Sequence, residues 1–332
     1  MLVDMKGIYM TNPIVSVIIP LYNESTYIDR CLMSLVNQTY PIDKIEWLLI
    51  DGMSMDDTLD KARYFLQGTD FHILINEHRL VTYALNIGIQ FARGRYVIRM
   101  DAHAEYAEDY IERCVYYLEN TNAENVGGIA LTKGIGFVGE ANAEILSSKF
   151  GVGNSAFRTG EHSGYVDTVP FGAFRREVFD KIGMFNPELP RSEDNDFNSR
   201  IRKAGGKIYL ASDISFTYYC RDTAKGLLRQ GLLNGNALFL TLRKNPHAMS
   251  LRHYVPCLFV LSLLILPILS LIFPHFWLLL AVEGSLYISL DVFYSFRTEQ
   301  IKRSLYKMIM YPAFHVVYGI GSFLGLLGIR LY

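Results

Sequence analysis

The first hundred residues alternate short apolar runs with longer stretches of amphipathic sequence. Apolar runs of strand length begin near residues 14, 46, 71 and 96, and the stretches between them carry apolar residues at helical spacing. Nearly continuous β-branched runs are typical of strands that are buried on both faces of a parallel sheet. The alternation therefore predicts an α/β fold with a doubly wound, mostly parallel sheet and helices on both faces.

Polar residues follow three of these four predicted strands. Tyr22 and Glu24 come after the first strand, Asp51 ends the second, and Asp101 and His103 follow the fourth. Because the carboxyl ends of parallel strands lie at one edge of a sheet, these side chains are expected to converge. Asp101 and His103 project to the same side of an extended chain, where they could share one divalent cation. The alternative is a plain strand end and turn, since so short a motif is weak by itself.

Residues 190–206 predict a helix with a strongly acidic start. Ser192 is the predicted N-cap, Glu193, Asp194 and Asp196 fall in the first turn, and Gly205 marks the end. Favourable interaction with the helix dipole is one explanation for these acids. The alternative is that one of them is a general base, since a carboxylate at a helix start in a cleft can accept a hydroxyl proton.

Two further local predictions come from turn and glycine signals. Ser25 is predicted to cap a helix that begins near Thr26. Residues 126–175 are rich in glycine and weakly periodic, which predicts a partly mobile loop. Beside an active site such a loop is often a lid, and disorder without a function is the alternative.

Beyond about residue 250, long apolar runs replace the α/β pattern. Residues 255–273, 276–296 and 308–329 each approach the roughly 20 residues that a membrane-spanning helix needs. Basic residues cluster at 243–253 and 297–307, and the positive-inside rule places both clusters in the cytoplasm. The sequence predicts a cytoplasmic domain at 1–250 and a membrane domain at 251–332. The membrane domain would have two to three transmembrane helices and, with three, an outside C-terminus. A hairpin that enters the bilayer and returns also fits, because Glu283 and Asp291 interrupt the second run.

Composition argues against several other classes of protein. The net charge of −1 gives no basic field for nucleic acid. Four widely separated cysteines without a CxxC pair argue against a disulfide framework or a zinc site. Residues 1–12 lack the long apolar core of a secretory signal. The sequence has no glycine-rich dinucleotide or P-loop motif, so those nucleotide-binding modes lose their main support.

Four motifs, in order and spacing, resemble the family 2 glycosyltransferases of the GT-A fold. They are residues 17–24 (VIIPLYNE), residues 50–58 (IDGMSMDDT), the Asp-x-Asp-like Asp101-Ala102-His103, and Glu193-Asp194. The match covers most of residues 14–215. Residues 99–104 and 169–176 further resemble the succinoglycan-biosynthesis type, membrane-attached enzymes that build bacterial exopolysaccharide repeats on a lipid carrier. The resemblance implies a GT-A, Rossmann-like fold followed by C-terminal transmembrane helices.

The resemblance also implies roles for matching positions. Asp194 would be the inverting base, beside Glu193 in the substrate site. Asp101 would bind Mn²⁺ or Mg²⁺, with His103 where most of the family has a second aspartate; imidazole suits Mn²⁺ better. Residues expected to hold the uridine or the rest of a UDP-sugar are Pro20, Tyr22, Glu24, Asp51 and Arg79. Arg229 and Gln230 are candidates for contact with the acceptor or its pyrophosphate.

The implied function is transfer of a single sugar from a UDP-sugar to a hydroxyl of a lipid-linked (polyprenyl-diphosphate) saccharide. The enzyme would be a multi-pass protein of the cytoplasmic membrane, with its catalytic domain in the cytoplasm, in bacterial exopolysaccharide or cell-surface polysaccharide synthesis. Gln230 is not followed by the Arg-Trp of processive synthases, which indicates one sugar per acceptor. Two alternatives stay open: a non-catalytic membrane-anchored nucleotide-sugar-binding or scaffold subunit, which the histidine at 103 permits, and a metal-dependent nucleotidyltransferase. The second would need a basic, glycine-rich loop where residues 21–24 are aromatic and acidic.

Overall fold

The computed structural model describes residues 14–160 and 162–331, so the prediction for residues 1–12 lies outside the described part. The strands are β1 (Val15–Leu21), β2 (Ile45–Asp51), β3 (Asp70–Ile75), β4 (Tyr96–Arg99), β5 (Ala104–Tyr106), β6 (Asn125–Lys133), β7 (Gly164–Tyr165), β8 (Ala173–Arg175) and β9 (Ile208–Tyr219). The helices are α1 (Ile28–Val36), α2 (Thr58–Phe65), α3 (Val81–Phe91), α4 (Tyr110–Asn120), α5 (Gly136–Leu146), α6 (Lys149–Val152), α7 (Ala156–Thr159), α8 (Glu177–Ile182), α9 (Glu193–Lys203), α10 (Ala224–Lys244), α11 (Val255–Ile272), α12 (Phe276–Ser295) and α13 (Ile301–Leu326).

All nine strands belong to one sheet, in the order β3-β2-β1-β4-β8-β6-β9-β5, with β7 paired to β9. Strands β3, β2, β1 and β4 are parallel, and Leu21, Asp51 and Ile75 are aligned across their carboxyl ends. The chain order reverses at β1, which has β2 on one side and β4 on the other, and open α/β sheets bind ligands at such a point. The predicted mostly parallel α/β sheet is confirmed, and β5, β7 and β8 add antiparallel pairs.

The two faces of the parallel strands are buried in separate apolar cores. In β1, Val17 and Ile19 face a core that includes residues of α1 and α4, whereas Ile18 faces a core built on α3, α8 and α9. Full burial of an aliphatic side chain contributes about 1.5–3 kcal/mol, so both faces of such a strand favour apolar residues. This is the physical reason for the continuous apolar runs.

Much of the glycine-rich segment is regular structure, so the loop predicted within residues 126–175 is limited to shorter connections, and a lid there stays a prediction. Strand β6 lies between β8 and β9 in the sheet, and α5, α6 and α7 follow it. A Cβ atom on Gly127 would lie 2.6 Å from Val169, and one on Gly128 would lie 2.4 Å from the carbonyl oxygen of Ile214. These glycines permit close packing of neighbouring segments rather than motion.

The predicted cap at Ser25 is wrong. Helix α1 begins at Ile28, and Tyr27 occupies its N-cap position without a capping side-chain hydrogen bond. The backbone N–H of Ser25 instead donates to a carboxylate oxygen of Asp56 at 3.1 Å. Ser25 therefore belongs to a contact between two loops, described next.

Candidate active site

The loops that follow β1 and β2 are tied together by side-chain to backbone hydrogen bonds. The N–H of Asn23 donates to the Ser54 hydroxyl, and the N–H of Met55 donates to the Asn23 side-chain oxygen, both at 2.9 Å. The N–H of Glu24 donates to the Thr58 hydroxyl at 2.8 Å. The two sequence motifs that carry these residues therefore form one continuous edge above the sheet.

A cavity of about 280 Å³ opens at this edge, and predicted donor-binding residues line it. The guanidinium of Arg79 lies 5.1 Å from the centre of the Tyr22 ring, and its Nε donates to the carbonyl of Gly52 at 3.2 Å. Pro20 and Glu24 complete this wall. An aromatic ring that is backed by a guanidinium group offers a flat surface on which a planar base can stack.

Asp51 lies beside this smaller cavity rather than on its lining. Its side chain is buried, and both carboxylate oxygens accept the N–H of Ser54, at 3.2 and 3.1 Å. Asp51 thus holds the turn that carries Ser54 toward Asn23. A direct contact between Asp51 and a ligand stays a prediction.

Backbone strain is concentrated in the loops of this edge and of the neighbouring α9. Among the described residues, those other than glycine with positive φ are Asn23, Met53, Arg79, Phe171 and Ser192. The first three follow β1, β2 and β3, and the last two line the larger cavity described below. Each such conformation costs on the order of 1–3 kcal/mol and persists only where surrounding contacts hold it.

Arg99, the last residue of β4, joins the acidic residues of two motifs. Its Nη1 donates to Glu193 at 2.8 Å and to Asp194 at 2.9 Å, and its Nε lies 3.4 Å from Asp101. Burial acts to lower the pKa of Arg99, but Asp194, Asp101 and Glu193 raise it well above its usual value. Sequence reasoning missed this residue, although a single arginine in an otherwise apolar strand needs buried partners.

Among the three acids that begin α9, Asp194 has the environment of a general base. Burial raises the pKa of Asp194 to about 7, while Arg99 acts to lower it and Glu193 and Asp101 act to raise it. A pKa near neutral suits proton transfer at neutral pH. Asp196 is buried and instead binds Arg200 at 3.1 Å and Asn245 at 2.8 Å. The predicted N-cap residue, Ser192, occupies that position but makes no capping side-chain hydrogen bond.

Asp101 and His103 are brought together as the sequence predicted. His103 Nε2 lies 4.0 Å from Asp101 Oδ2, and His103 Nδ1 lies 3.5 Å from Glu24 Oε1. Two ligands that each bind one ion at about 2.1 Å are at most about 4.2 Å apart, and the separation of this pair lies just inside that limit. Burial acts to lower the pKa of His103, but Glu24 and Asp101 raise it overall. Glu24 is placed to orient the imidazole through its other nitrogen.

A larger cavity, of about 1150 Å³, runs from these residues to the C-terminal helices. Asp101 and His103 line both cavities, while Glu193 and Asp194 line only the larger one. Basic and polar residues line it as well: Arg158, Arg221, Arg229 and Gln230. Apolar side chains from the C-terminal helices also contribute: Phe259, Leu290 and Phe314.

Arg158 is a second residue that sequence reasoning missed. Its guanidinium lies 5.2 Å from the centre of the Tyr218 ring and 5.5 Å from that of Phe157, and its Nη1 donates to Thr132 at 3.4 Å. Burial lowers the pKa of Arg158, while Tyr218 and Cys220 act to raise it. An enclosed cation of this kind, in a cavity wall, is suited to binding an anionic group.

Comparison with known proteins finds a family model and curated relatives that match this chain. The model of the family described as "Glycosyl transferase family 2" matches residues 16–183. A Methanococcus voltae relative is 30% identical over 239 residues, covering 69% of this chain and 74% of the relative. It is described as dolichyl N-acetyl-alpha-D-glucosaminyl phosphate 3-beta-D-2,3-diacetamido-2,3-dideoxy-beta-D-glucuronosyltransferase. The succinoglycan biosynthesis protein ExoA of Rhizobium meliloti is 29% identical over 244 residues, covering 72% and 73% of the two chains.

Two solved structures have a similar fold at low sequence identity. One is the mannosyltransferase PcManGT from Pyrobaculum calidifontis, solved with GDP-Man and Mn²⁺, with a TM-score of 0.62, 18% identity and coverage of 95% of this chain and 88% of that chain. The other is residues 1–349 of S. aureus TarS with UDP-GlcNAc, with a TM-score of 0.54, 17% identity and coverage of 96% and 93%. They confirm the predicted GT-A-like fold. With the match to the family model over half of its length, the chain belongs to glycosyl transferase family 2.

Proposed function

We propose that this protein is an inverting, non-processive glycosyltransferase that moves one sugar from a UDP-sugar to a hydroxyl of a lipid-linked saccharide. The observation that carries the proposal is the position of Asp101 and His103, which line both cavities. A donor in the smaller cavity would place its sugar beside this pair. An acceptor in the larger cavity would then reach the same point from the side of Asp194.

The donor half of the proposal rests on the smaller cavity. The Tyr22 ring, with the Arg79 guanidinium packed against it, offers a flat surface on which a planar base can stack. TarS was solved with UDP-GlcNAc and PcManGT with GDP-Man, so nucleoside-diphosphate sugars are bound by proteins of similar fold. Uracil as the base follows from the resemblance of residues 17–24 and 50–58 to the family's uridine-binding motifs.

Asp101 and His103 would hold a divalent metal, Mn²⁺ or Mg²⁺. When bound, such an ion neutralises charge on a diphosphate leaving group. The imidazole favours Mn²⁺, because Mg²⁺ prefers oxygen ligands and water. Glu24 would fix the ring of His103 in place, since it faces the nitrogen that does not face Asp101.

Asp194 would accept the proton of the acceptor hydroxyl as that oxygen attacks the anomeric carbon. Arg99 holds Asp194 through a 2.9 Å hydrogen bond, which fixes its position at the start of α9. Attack from the face opposite the leaving diphosphate would invert the anomeric configuration. Glu193 shares the same Arg99 nitrogen and would help to keep the guanidinium in place.

The acceptor half of the proposal rests on the lining of the larger cavity, which is basic and polar in one part and apolar in another. Arg158, Arg229 and Gln230 offer donors to a phosphate or pyrophosphate, and the apolar end lies against helices that could cross a membrane. The positions where processive synthases carry Arg-Trp are Leu233 and Asn234, and Asn234 accepts a hydrogen bond from Arg191 at 3.1 Å. Without an aromatic platform there, we infer addition of one sugar at the cytoplasmic face of the membrane.

The experiment is a donor and acceptor screen with the full-length protein. Purified protein is incubated with Mn²⁺ or Mg²⁺, a panel of UDP-sugars and polyprenyl-diphosphate-linked saccharides, and products are identified by mass spectrometry. We expect one UDP-sugar to yield an acceptor that is heavier by a single sugar. The NMR coupling constant of the new anomeric proton should show the configuration opposite to that of the donor.

Failure of every donor, in protein that is folded and binds UDP, would contradict the proposal. That outcome would favour a membrane-anchored scaffold or nucleotide-sugar-binding subunit. Addition of many sugars to one acceptor would contradict only the non-processive part. Retention of the anomeric configuration would contradict the role of Asp194.

A further inference from the structure

Helix α13 is bonded to the α/β domain near its amino end. Arg303 donates to Glu144 at 2.7 Å, and the Lys307 ammonium, which is only 2% exposed, lies 2.6 Å from the same carboxylate. Tyr306 donates to the side chain of Asn142 at 3.1 Å. Glu144 and Asn142 belong to α5, so the first two turns of α13 lie against the α/β domain.

The carboxyl end of α13 is bonded to the same domain through α10. Arg243 of α10 donates to the carbonyl of Leu326, and the Asn236 side chain donates to the carbonyl of Ile329 at 2.9 Å. Helix α10 ends at Lys244, and the next residue, Asn245, donates to Asp196 at 2.8 Å. Both ends of α13 are therefore fixed to one folded unit, about 39 Å apart for a helix of 26 residues.

Between its ends, α13 lies against α10 at backbone contact distance. A Cβ atom on Gly321 would lie 2.1 Å from the carbonyl oxygen of Leu232, and one on Gly325 would lie 2.3 Å from that of Asn236. The two helices run parallel, because later residues of α10 meet later residues of α13. If α13 crossed a bilayer, α10 would have to cross beside it.

That arrangement is costly for α10. It carries Lys225 and Arg229 in its first two turns and Arg243 and Lys244 in its last turn, which leaves only residues 230–242 uncharged, fewer than the roughly 20 that a spanning helix needs. It would also place Asp196, two residues from Asp194, on the far side of the membrane. Charges in the first two turns and in the last turn of α10 instead suit a helix that lies outside the hydrocarbon core.

Helices α11 and α12 differ from α13 in how much of their surface is buried in protein and in what they contact. Only 17% and 6% of their apolar windows are buried in protein, against 44% for α13. Their contacts with each other and with α13 include a stack of Phe259 on Tyr287 at 4.5 Å and a hydrogen bond between Tyr287 and His315 at 2.8 Å. Toward their connecting turn the side chains are apolar and exposed: Ile268, Leu271, Ile272, Trp277 and Leu278.

We propose that α11 and α12 alone enter the lipid bilayer, as a hairpin, while α13 lies along the membrane surface. The occupant of the exposed apolar faces is therefore lipid. On α13 the lipid-facing stripe is Ile301, Leu305 and Ile309, which are 69%, 52% and 70% exposed and spaced by four residues, as in an interfacial amphipathic helix. The C-terminus is then on the same side of the membrane as the active site. Three spans would place the C-terminus on the side of the membrane opposite to the α/β domain, whereas a hairpin of α11 and α12 returns the chain to the side of that domain.

Single cysteines in the full-length, membrane-embedded protein test this topology. The variants are Leu331→Cys at the C-terminus, His275→Cys at the hairpin turn, and Tyr64→Cys, which is exposed on α2 and reports the side of the α/β domain. The four native cysteines are buried and give a low background. A membrane-impermeant maleimide is applied to right-side-out and to inside-out vesicles.

We expect Leu331→Cys and Tyr64→Cys to react in the same vesicle orientation. His275→Cys should react only in the opposite orientation or only after detergent is added. Reaction of Leu331→Cys from the side opposite to Tyr64→Cys would overturn the placement of α13. Reaction of His275→Cys from the same side as Tyr64→Cys, without detergent, would overturn the hairpin.

A second measurement covers the case in which the Leu331→Cys variant does not fold. An epitope tag is appended after the last residue of the otherwise unchanged chain, and vesicles are treated with protease. Loss of the tag in the orientation that exposes the α/β domain supports the proposal. Protection of the tag in that orientation, together with its loss in the other, overturns it.

Discussion

The two ends of the parallel strands carry clusters of similar charged side chains, but the carboxylates are paired with cations differently at each end. At the amino ends, Glu46, Asp70 and His72 lie close enough together to bind a metal ion. The guanidinium of Arg93 supplies the positive charge at this position, with its Nε 2.6 Å from Glu46 and its Nη2 2.6 Å from Asp70. The N–H of Gly94 also donates to Glu46. In this amino-edge cluster both carboxylates are bound by protein groups, and the central one, Glu46, is fully buried.

At the carboxyl ends, the charges are not matched in this way. Arg99 is shared by three carboxylates, those of Asp101, Glu193 and Asp194, and each of the three lines a cavity. We call Arg99, Asp101, His103, Glu193 and Asp194 the carboxyl-edge cluster. Residue types alone do not distinguish the two clusters. What distinguishes the carboxyl-edge cluster is its surplus negative charge and its access to cavities that are large enough for a substrate.

The largest expected effect is on turnover and belongs to the carboxyl-edge cluster. Asp194→Asn should lower transfer by at least about 10²-fold, since general-base catalysis typically contributes 10²- to 10⁴-fold. Donor binding should be unchanged, because Asp194 does not line the smaller cavity. Initial rates with the donor and acceptor from the screen, and UDP affinity by calorimetry, give the two readouts. Asp70→Asn is the control and should turn over normally; equal loss in both variants would remove the distinction.

The largest effect on stability is expected at the amino-edge cluster. Arg93→Met leaves the buried Glu46 carboxylate without its cationic partner, which should lower the free energy of unfolding by about 3 kcal/mol. We choose the low end of the usual range because the Arg93 side chain is 39% exposed and Gly94 still donates to Glu46. Chemical denaturation measures the change. Turnover per folded molecule should stay within about twofold of wild type, and a larger loss would show that this cluster takes part in the reaction.

Arg99 should control the pH dependence of the reaction. Arg99→Gln removes the group that acts to lower the pKa of Asp194. The pKa of Asp194 should therefore rise further, and kcat/KM at pH 7 should fall by about tenfold for each unit of that rise. Part of the activity should return at higher pH. Arg99→Lys keeps the charge and should shift the profile less. A loss that is the same at every pH in Arg99→Gln would contradict this role.

The smallest expected effect concerns donor binding. Tyr22→Ala removes the ring beneath Arg79 and should raise the donor KM by about fivefold, equivalent to about 1 kcal/mol, the low end for a stacked base. Tyr27→Ala is a matched control, because both tyrosines are 43% exposed and Tyr27 does not line the smaller cavity. Equal KM values for the two variants would remove the support for base stacking at Tyr22.

The sequence predicts the parallel half of the fold well because local pattern and burial agree there. The strands at 14–20 and 46–51 lie within one residue of β1 and β2, since continuous apolar runs reflect burial on both faces. Glycine is ambiguous by contrast, because a close contact and a flexible turn both favour it. The contacts of Gly127 with Val169 and of Gly128 with Ile214 are set by packing in three dimensions.

Two parts of the site depend on residues that are distant in sequence. Arg99 meets Glu193 and Asp194, which are 94 and 95 positions away, so a single sequence identifies the arginine as unusual but does not identify its partners. The docking of α13 likewise depends on Glu144 and Asn236, far from it along the chain. Hydropathy measures the length and composition of α13 and does not register that contact.

The pH dependence of transfer tests the role of the carboxyl-edge cluster most directly. Asp194 accepts a proton only when it is deprotonated, and its pKa is raised to about 7. For the wild-type enzyme kcat/KM should therefore rise about tenfold per pH unit below that value and level off above it. The residual activity of Asp194→Asn should lack this rise. A wild-type profile that is flat from acidic pH through neutrality, or one that Asp194→Asn reproduces, would contradict the assignment of Asp194 as the base.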